Sequence, residues 1–174
     1  MVRAALGVLE PILPGLASRS LALMGASGPA DLIDMWALGI GALESTLPYT
    51  LTKSGMALGC VPADPTQAQT REQEHKQEHK QEQEQEQEPL AINLRDPAWA
   101  RDKRPLALGC RCWACKTHAR GYVSHLVLSK EMLGDMLLFT HNAHQVLELA
   151  RYVRAVPVDQ RAALAATWRT RHAR

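Results

Sequence analysis

Apolar residues cluster in short runs near the start of the chain and in helical stripes near its end, with a polar gap between. Residues 20–26 (SLALMGA) form a compact apolar run before a glycine and predict a buried strand. Residues 29–39 follow with Ala30, Leu32, Ile33, Met35, Trp36 and Leu38 at helical spacing. Ser27 stands where a cap belongs, Pro29 suits a first turn, and Gly39 suits a helix end. Residues 40–43 are a second apolar run, ending at Glu44. Strand, helix, strand in this order predicts a βα unit of a parallel sheet. Further on, residues 117–133 place Tyr122, Val123, Leu126, Val127 and Leu133 on one helical face, with Gly134 as the stop. Residues 136–139 are a short apolar stretch. From Asn142, the set Val146, Leu147, Ala150 and Val153 predicts another amphipathic helix, halted at Pro157. Asp159 reads as the N-cap of a last helix carrying Leu164 and Trp168.

The gap divides the chain into three blocks: 1–60, 61–88 and 89–174. Within the middle block, residues 71–88 (REQEHKQEHKQEQEQEQE) hold seven Glu against Arg71, Lys76 and Lys80, and no apolar side chain. Such a low-complexity segment cannot bury itself against a core and is expected to be disordered. His75 and His79 lie one helical turn apart there, a spacing that by itself carries little weight as a metal pair.

Charge sharpens the division. The net +2 of the whole chain conceals 14 Lys/Arg against 6 Asp/Glu over residues 89–174. A basic half of this kind can attract a polyanion, though it equally suits a solvated surface. No run of eighteen apolar residues exists, so no membrane-spanning helix is expected. Glu10, Pro11 and Pro14 interrupt the N-terminal apolar stretch too early for a signal peptide, which points to an intracellular protein.

Three of the four cysteines fall within six residues, as Cys110-x-Cys112-x2-Cys115. In a reducing compartment that crowding favours a metal over disulfides. Three sulfurs this close reach one ion with little loop-closure cost, and zinc needs a fourth, tetrahedral ligand. The candidates are His118, His125, His141 and His144. His118 follows Cys115 too closely, and His125 lies inside a predicted helix. His141 is expected to begin the next helix, where a side chain can point back at the loop. Cys60 stands alone and reads as a small apolar residue. Four ligands would close the site and make it structural rather than catalytic.

The arrangement Cys-x-Cys-x2-Cys followed by His-Asn 26 residues on resembles the tRNA-guanine transglycosylase family. The likeness extends through GCRCWACKTHARGYVSHLVLSKEMLGDMLLFTHNAHQVLELARYVRAV. Upstream, LALMGASGPADLIDMWALGIGALESTLPYTLTKSGMAL is similar to that family's last barrel strands. The resemblance implies an α/β fold: the C-terminal portion of a TIM (β/α)8 barrel, about its last two βα units, with a helical zinc-binding subdomain. It favours His141 as the fourth ligand, beside Cys110, Cys112 and Cys115, with one Zn2+ per chain. It also implies exchange of guanine for queuine at the tRNA wobble position.

The catalytic members carry Phe-Asp-Cys at a late strand end, then Pro-Thr-Arg. Here the residues are Leu43-Glu44-Ser45, then Pro48-Tyr49-Thr50. Glu44 therefore stands at the nucleophile position with an arm one carbon longer, and a misplacement of about 1 Å can cost ~10²-fold in rate. The Glu-Ser…Pro-Tyr pattern resembles the non-catalytic accessory subunits of eukaryotic queuine tRNA-ribosyltransferases. That likeness implies a heterodimer with a catalytic subunit and contact with tRNA. It further implies a cytoplasmic location, peripheral to the mitochondrial outer membrane. Arg120, Lys130, Arg169, Arg171 and Arg174 are its candidates for phosphate contact. The alternatives are a catalytic transglycosylase using Glu44 and a structural zinc module without a tRNA role. A full barrel of this kind takes about 250 residues, so the expected object is a fragment, a truncated product or a shortened homologue.

Overall fold

The computed structural model describes residues 22–26, 28–59 and 89–171. The predictions for Ser27, Cys60, His75, His79 and the tract 61–88 lie outside them. The chain groups into two compact units, one of residues up to Leu51 with Val146 onward, the other of Thr52–Gln145.

In the first unit, β1 (Ala22–Ala26) and β2 (Ala42–Ser45) pair in parallel, with Leu23 opposite Leu43 and Met24 opposite Glu44. Between them runs α1 (Pro29–Ala37), so the predicted βα unit is present. The cap position is Gly28, whose carbonyl accepts the Leu32 N–H at 3.2 Å. Leu32, Ile33, Met35 and Trp36 are buried. The helix stops where Gly39 takes φ +83°. There the Gly39 N–H reaches Trp36 O and the Ile40 N–H reaches Met35 O, at 3.1 and 3.2 Å. This glycine-terminated turn satisfies the last helical carbonyls. It also uses Ile40, which is why β2 begins at Ala42 rather than at residue 40.

Two helices complete this unit. Within α5 (Met132–Ala155), Leu149 and Val153 are buried, whereas Leu147, predicted to lie inward, is exposed. Pro157 follows the helix end as predicted. The next helix, α6 (Val158–Arg171), packs against α1. Asp159 falls inside its first turn rather than capping it. Arg161 donates to Val156 O and Arg154 O at 2.9 and 3.1 Å, which satisfies carbonyls at the end of α5.

The second unit opens with the end of α2 (Leu47–Lys53). Next come two three-residue strands that the apolar pattern did not reveal, β3 (Met56–Leu58) and β4 (Ala91–Asn93), paired antiparallel. A loop through residues 94–111 leads to α3 (Trp113–Thr117), then α4 (Arg120–Leu128) and the first half of α5. The core joins Ala57, Ile92, Leu94, Leu106, Cys112, Val123, Leu126, Leu137 and Leu138.

The helix predicted over 117–133 is thus three pieces. It breaks at His118, ends at Leu128, and restarts at Met132. The stop is not Gly134 but Lys130, at φ +57°. The Lys130 and Glu131 N–H groups reach back to Val127 O and Leu126 O at 3.2 and 2.9 Å. Gly134 instead lies within α5, where a Cβ would come within 2.9 Å of Leu126 backbone. It lets α5 cross α4 closely. Of the predicted inner face, Val123 and Leu126 are buried, whereas Tyr122 and Leu133 are exposed.

Candidate metal centre

Cys112 is the N-cap of α3, and its sulfur accepts the Cys115 N–H at 3.4 Å. The Cys112 N–H in turn donates to Cys110 Sγ at 3.5 Å. The short helix therefore turns all three sulfurs inward. His141 meets them from α5. Its Nδ1 lies 3.7, 3.5 and 3.3 Å from the sulfurs of Cys110, Cys112 and Cys115. A tetrahedral zinc with Zn–S about 2.3 Å and Zn–N about 2.0 Å has S···N edges of about 3.6 Å. These separations are the edges of a coordination tetrahedron more than they are thiol–imidazole hydrogen bonds. All four donor atoms lie within 4.8 Å of one another, the one such convergence among the described residues.

The far side of the ring settles which nitrogen faces the sulfurs. His141 Nε2 donates to the Leu58 carbonyl at 2.8 Å, leaving Nδ1 with its lone pair toward the cysteines. His141 is fully buried. Burial alone would pull its pKa down, but the Cys112 and Cys115 sulfurs outweigh that and push it up to about 9. Hydrogen bonds from Cys110 and Cys115 hold the Cys112 thiol far below its ordinary range despite burial. Cys110, sharing with Cys112 and Cys115, is pushed up. A metal entering the cluster must displace protons, as metal sites of this type do. The donor set fits one tetrahedral ion: three sulfurs, one imidazole, the correct edges and a fixed tautomer.

His141 sits in the middle of α5, not at a helix start as the apolar pattern suggested, because the chain runs on as helix from Met132. The other candidates fall away. His118 lies half-buried between Trp113 and Tyr122, with ring centroids 5.4 and 5.2 Å away. His125 is exposed, and His144 is half-buried outside the cluster. Arg120, a candidate for phosphate contact, is only 2 % exposed and committed inward. Its guanidinium donates to Asp102 at 3.1 Å and to Pro105 O and Leu106 O at 3.2 Å. It also lies over the Trp99 ring, 5.1 Å from the centroid. Lys130 is exposed, while the side chains of Arg169, Arg171 and Arg174 lie outside the described residues.

Glu44 lies near the end of β2 and is exposed. Beyond it, Ser45 accepts the Leu47 N–H at 3.1 Å, starting α2.

The family model described as queuine tRNA-ribosyltransferase matches residues 3–173. The chain belongs to this family. Among its relatives, queuine tRNA-ribosyltransferase accessory subunit 2 of Danio rerio is 31 % identical over 145 residues, covering 76 % of this chain and 35 % of that protein. The protein of the same name from Trichoplax adhaerens is 44 % identical over 63 residues, 36 % of this chain and 17 % of that one. The queuine tRNA-ribosyltransferase of Thermus thermophilus is 32 % identical over 132 residues, 74 % of this chain and 27 % of that protein. This transglycosylase-family chain spans about a third or less of the length of the curated relatives it matches.

Proposed function

We propose that this chain acts as a non-catalytic accessory subunit of queuine tRNA-ribosyltransferase, built around one structural zinc and supporting exchange of guanine for queuine in tRNA. The observation that carries the zinc is the closed Cys110–Cys112–Cys115–His141 set, in which four protein donors fill a tetrahedron and leave no corner for substrate. Zinc bound there supplies folding free energy to residues 52–145. The strand end supports the non-catalytic role. Glu44 stands where catalytic members are expected to carry Asp, and the relatives named as accessory subunits match most of the chain. In this reading β1, α1 and β2 are late units of a (β/α)8 barrel, and residues 89–174 belong to its zinc subdomain.

The partner is a catalytic queuine tRNA-ribosyltransferase subunit. Exposed apolar side chains on α4 and on α5 near the metal loop support this: Tyr122, Met132, Met136 and Phe139. Tyr122 and Trp113 flank His118 beside that loop. Exposed Lys130 and the net positive charge of residues 89–174 support contact with tRNA, and such binding weakens with salt by about one logarithmic unit of slope per phosphate contact. No helix among the described residues is long and apolar enough to cross a membrane. A cytoplasmic site with peripheral attachment to the mitochondrial outer membrane fits this picture.

Co-expression with a catalytic subunit followed by size exclusion tests the proposal. A single zinc-loaded peak containing both chains is expected. Separate elution with zinc fully bound would leave the chain a solitary zinc module. The match to the bacterial enzyme keeps a second reading in view, in which Glu44 acts as nucleophile. Labelled-guanine exchange into tRNA by the purified chain, lost in Glu44→Gln, would establish it instead.

A further inference from the structure

The residue after the histidine ligand does something the sequence pattern did not disclose. Asn142 is fully buried, and its side-chain amide lies against the free edge of β3. Its Oδ1 accepts the Leu58 N–H at 2.9 Å, and its Nδ2 donates to Met56 O at 3.0 Å and to Thr52 Oγ1 at 3.2 Å. On the opposite edge β3 is paired with β4, from Gly55 to Gly59. Alternate backbone groups of a strand point to opposite edges. Met56 and Leu58 therefore turn their polar groups away from β4, toward α5. His141 takes the Leu58 carbonyl and Asn142 takes the Leu58 N–H. Two consecutive helical side chains thus stand in for a third strand.

The two contacts depend on each other. The carbonyl that orients the His141 ring belongs to the residue whose N–H Asn142 holds. A strand of three residues with one neighbouring strand has little rigidity of its own. We infer that Asn142 is a positioning residue of the metal centre. By fixing β3 against α5 it keeps the Leu58 carbonyl on His141 Nε2, and so keeps Nδ1 aimed at the three sulfurs. Groups that hold a ligand's far nitrogen typically alter metal affinity by about 10–100-fold when removed. The inference rests on the zinc centre proposed above. Zinc stoichiometry of the unmodified chain, measured first, separates failure of that proposal from failure of this one.

The test is a double-mutant cycle in the full chain, reading zinc affinity by chelator competition. Asn142→Leu should weaken zinc about 10–100-fold while His141 is the ligand. In the His141→Cys background, where no imidazole needs orienting, Asn142→Leu should change zinc affinity less than about threefold, far below that range. Unchanged affinity in the first background, or equal losses in both, would overturn the inference and leave Asn142 as packing alone. If Asn142→Leu does not fold, Thr52→Val removes one contact to the Asn142 amide at constant shape. The His141 Nε2–H proton of the zinc-loaded protein should then exchange with solvent several-fold faster by nitrogen-edited NMR. Exchange at the unmodified rate would count against it.

Discussion

Asp102 shows how single residues prepare the metal loop. Arg104 grips its carboxylate at 2.7–3.1 Å, and the buried Arg120 reaches it from the start of α4 at 3.1 Å. Its carbonyl also accepts the Gly121 N–H at 2.8 Å, and a Cβ on Gly121 would meet Ala100 O at 2.8 Å. The Arg104 hydrogen bonds, aided by the Arg120 charge, hold the Asp102 carboxyl below the usual carboxylate range even though burial raises it. A carboxylate with a depressed folded-state pKa stabilises fully above its unfolded value, about 3.9, and that stability is lost as pH falls through the folded value. Asp102→Asn should therefore flatten the acid limb of the stability–pH profile below about pH 4. At neutral pH it should cost about 1.5–3 kcal/mol, because the buried Arg120 loses a hydrogen bond to a charged acceptor. Denaturant titrations across pH read both effects. At this scale the cysteines were legible because their spacing is local. Asn142 and Arg120 were not, since their roles depend on backbone groups 84 residues (Leu58) and 14–15 residues (Leu106, Pro105) away.

Elements end here for reasons that a pattern of apolar residues records unevenly. The end of α1 was readable because glycine occupies the left-handed position. The end of α4 was not, because Lys130 occupies the equivalent place at φ +57°. A non-glycine residue there carries a cost, so Lys130→Gly should stabilise the fold by about 1 kcal/mol, seen as a raised denaturation midpoint with unchanged slope. Gly134, the expected stop, lies inside α5, and a glycine needed for close helix crossing looks the same in sequence as one needed for a turn. The strands β3 and β4 are three residues each, too short for an alternating signal, and each lies beside the polar tract. The apolar periods of α5 change face along its 24 residues, with Leu137 and Leu138 inward early and Leu149 and Val153 later. The apolar stretch 136–139 and the helix expected from Asn142 are therefore parts of one helix.

At the scale of the molecule, the sequence blocks and the compact units divide the chain differently. The first block ends in β3, yet β3 belongs with the cysteine loop, because β4 and His141 both hold it. Within residues 52–145, the Cys110–Cys112–Cys115–His141 cluster joins the loop after β4, α3 and α5 around a small core. Removing zinc should therefore loosen this unit as a whole. Excess zinc at a thousandfold over its Kd contributes about 4 kcal/mol that chelation removes. Hydrogen exchange with and without chelator should show protection lost across residues 91–145, including amides distant from the cysteines. Retained protection there would mean that the core holds without metal.

The pairing of β3 with β4 has a consequence for the length of chain that can lie between them. The Gly59 N–H bonds the Leu90 carbonyl at 2.6 Å, so the two ends of the segment between them are held at one place. Closing a longer loop there costs only about 0.6 kcal/mol for each doubling of its length. Stability is thus nearly insensitive to how many residues lie between those two points. The reiterated Gln-Glu and Gln-Glu-His-Lys units of residues 73–88 fall between those two points. Adding or deleting such units should therefore move the denaturation midpoint little.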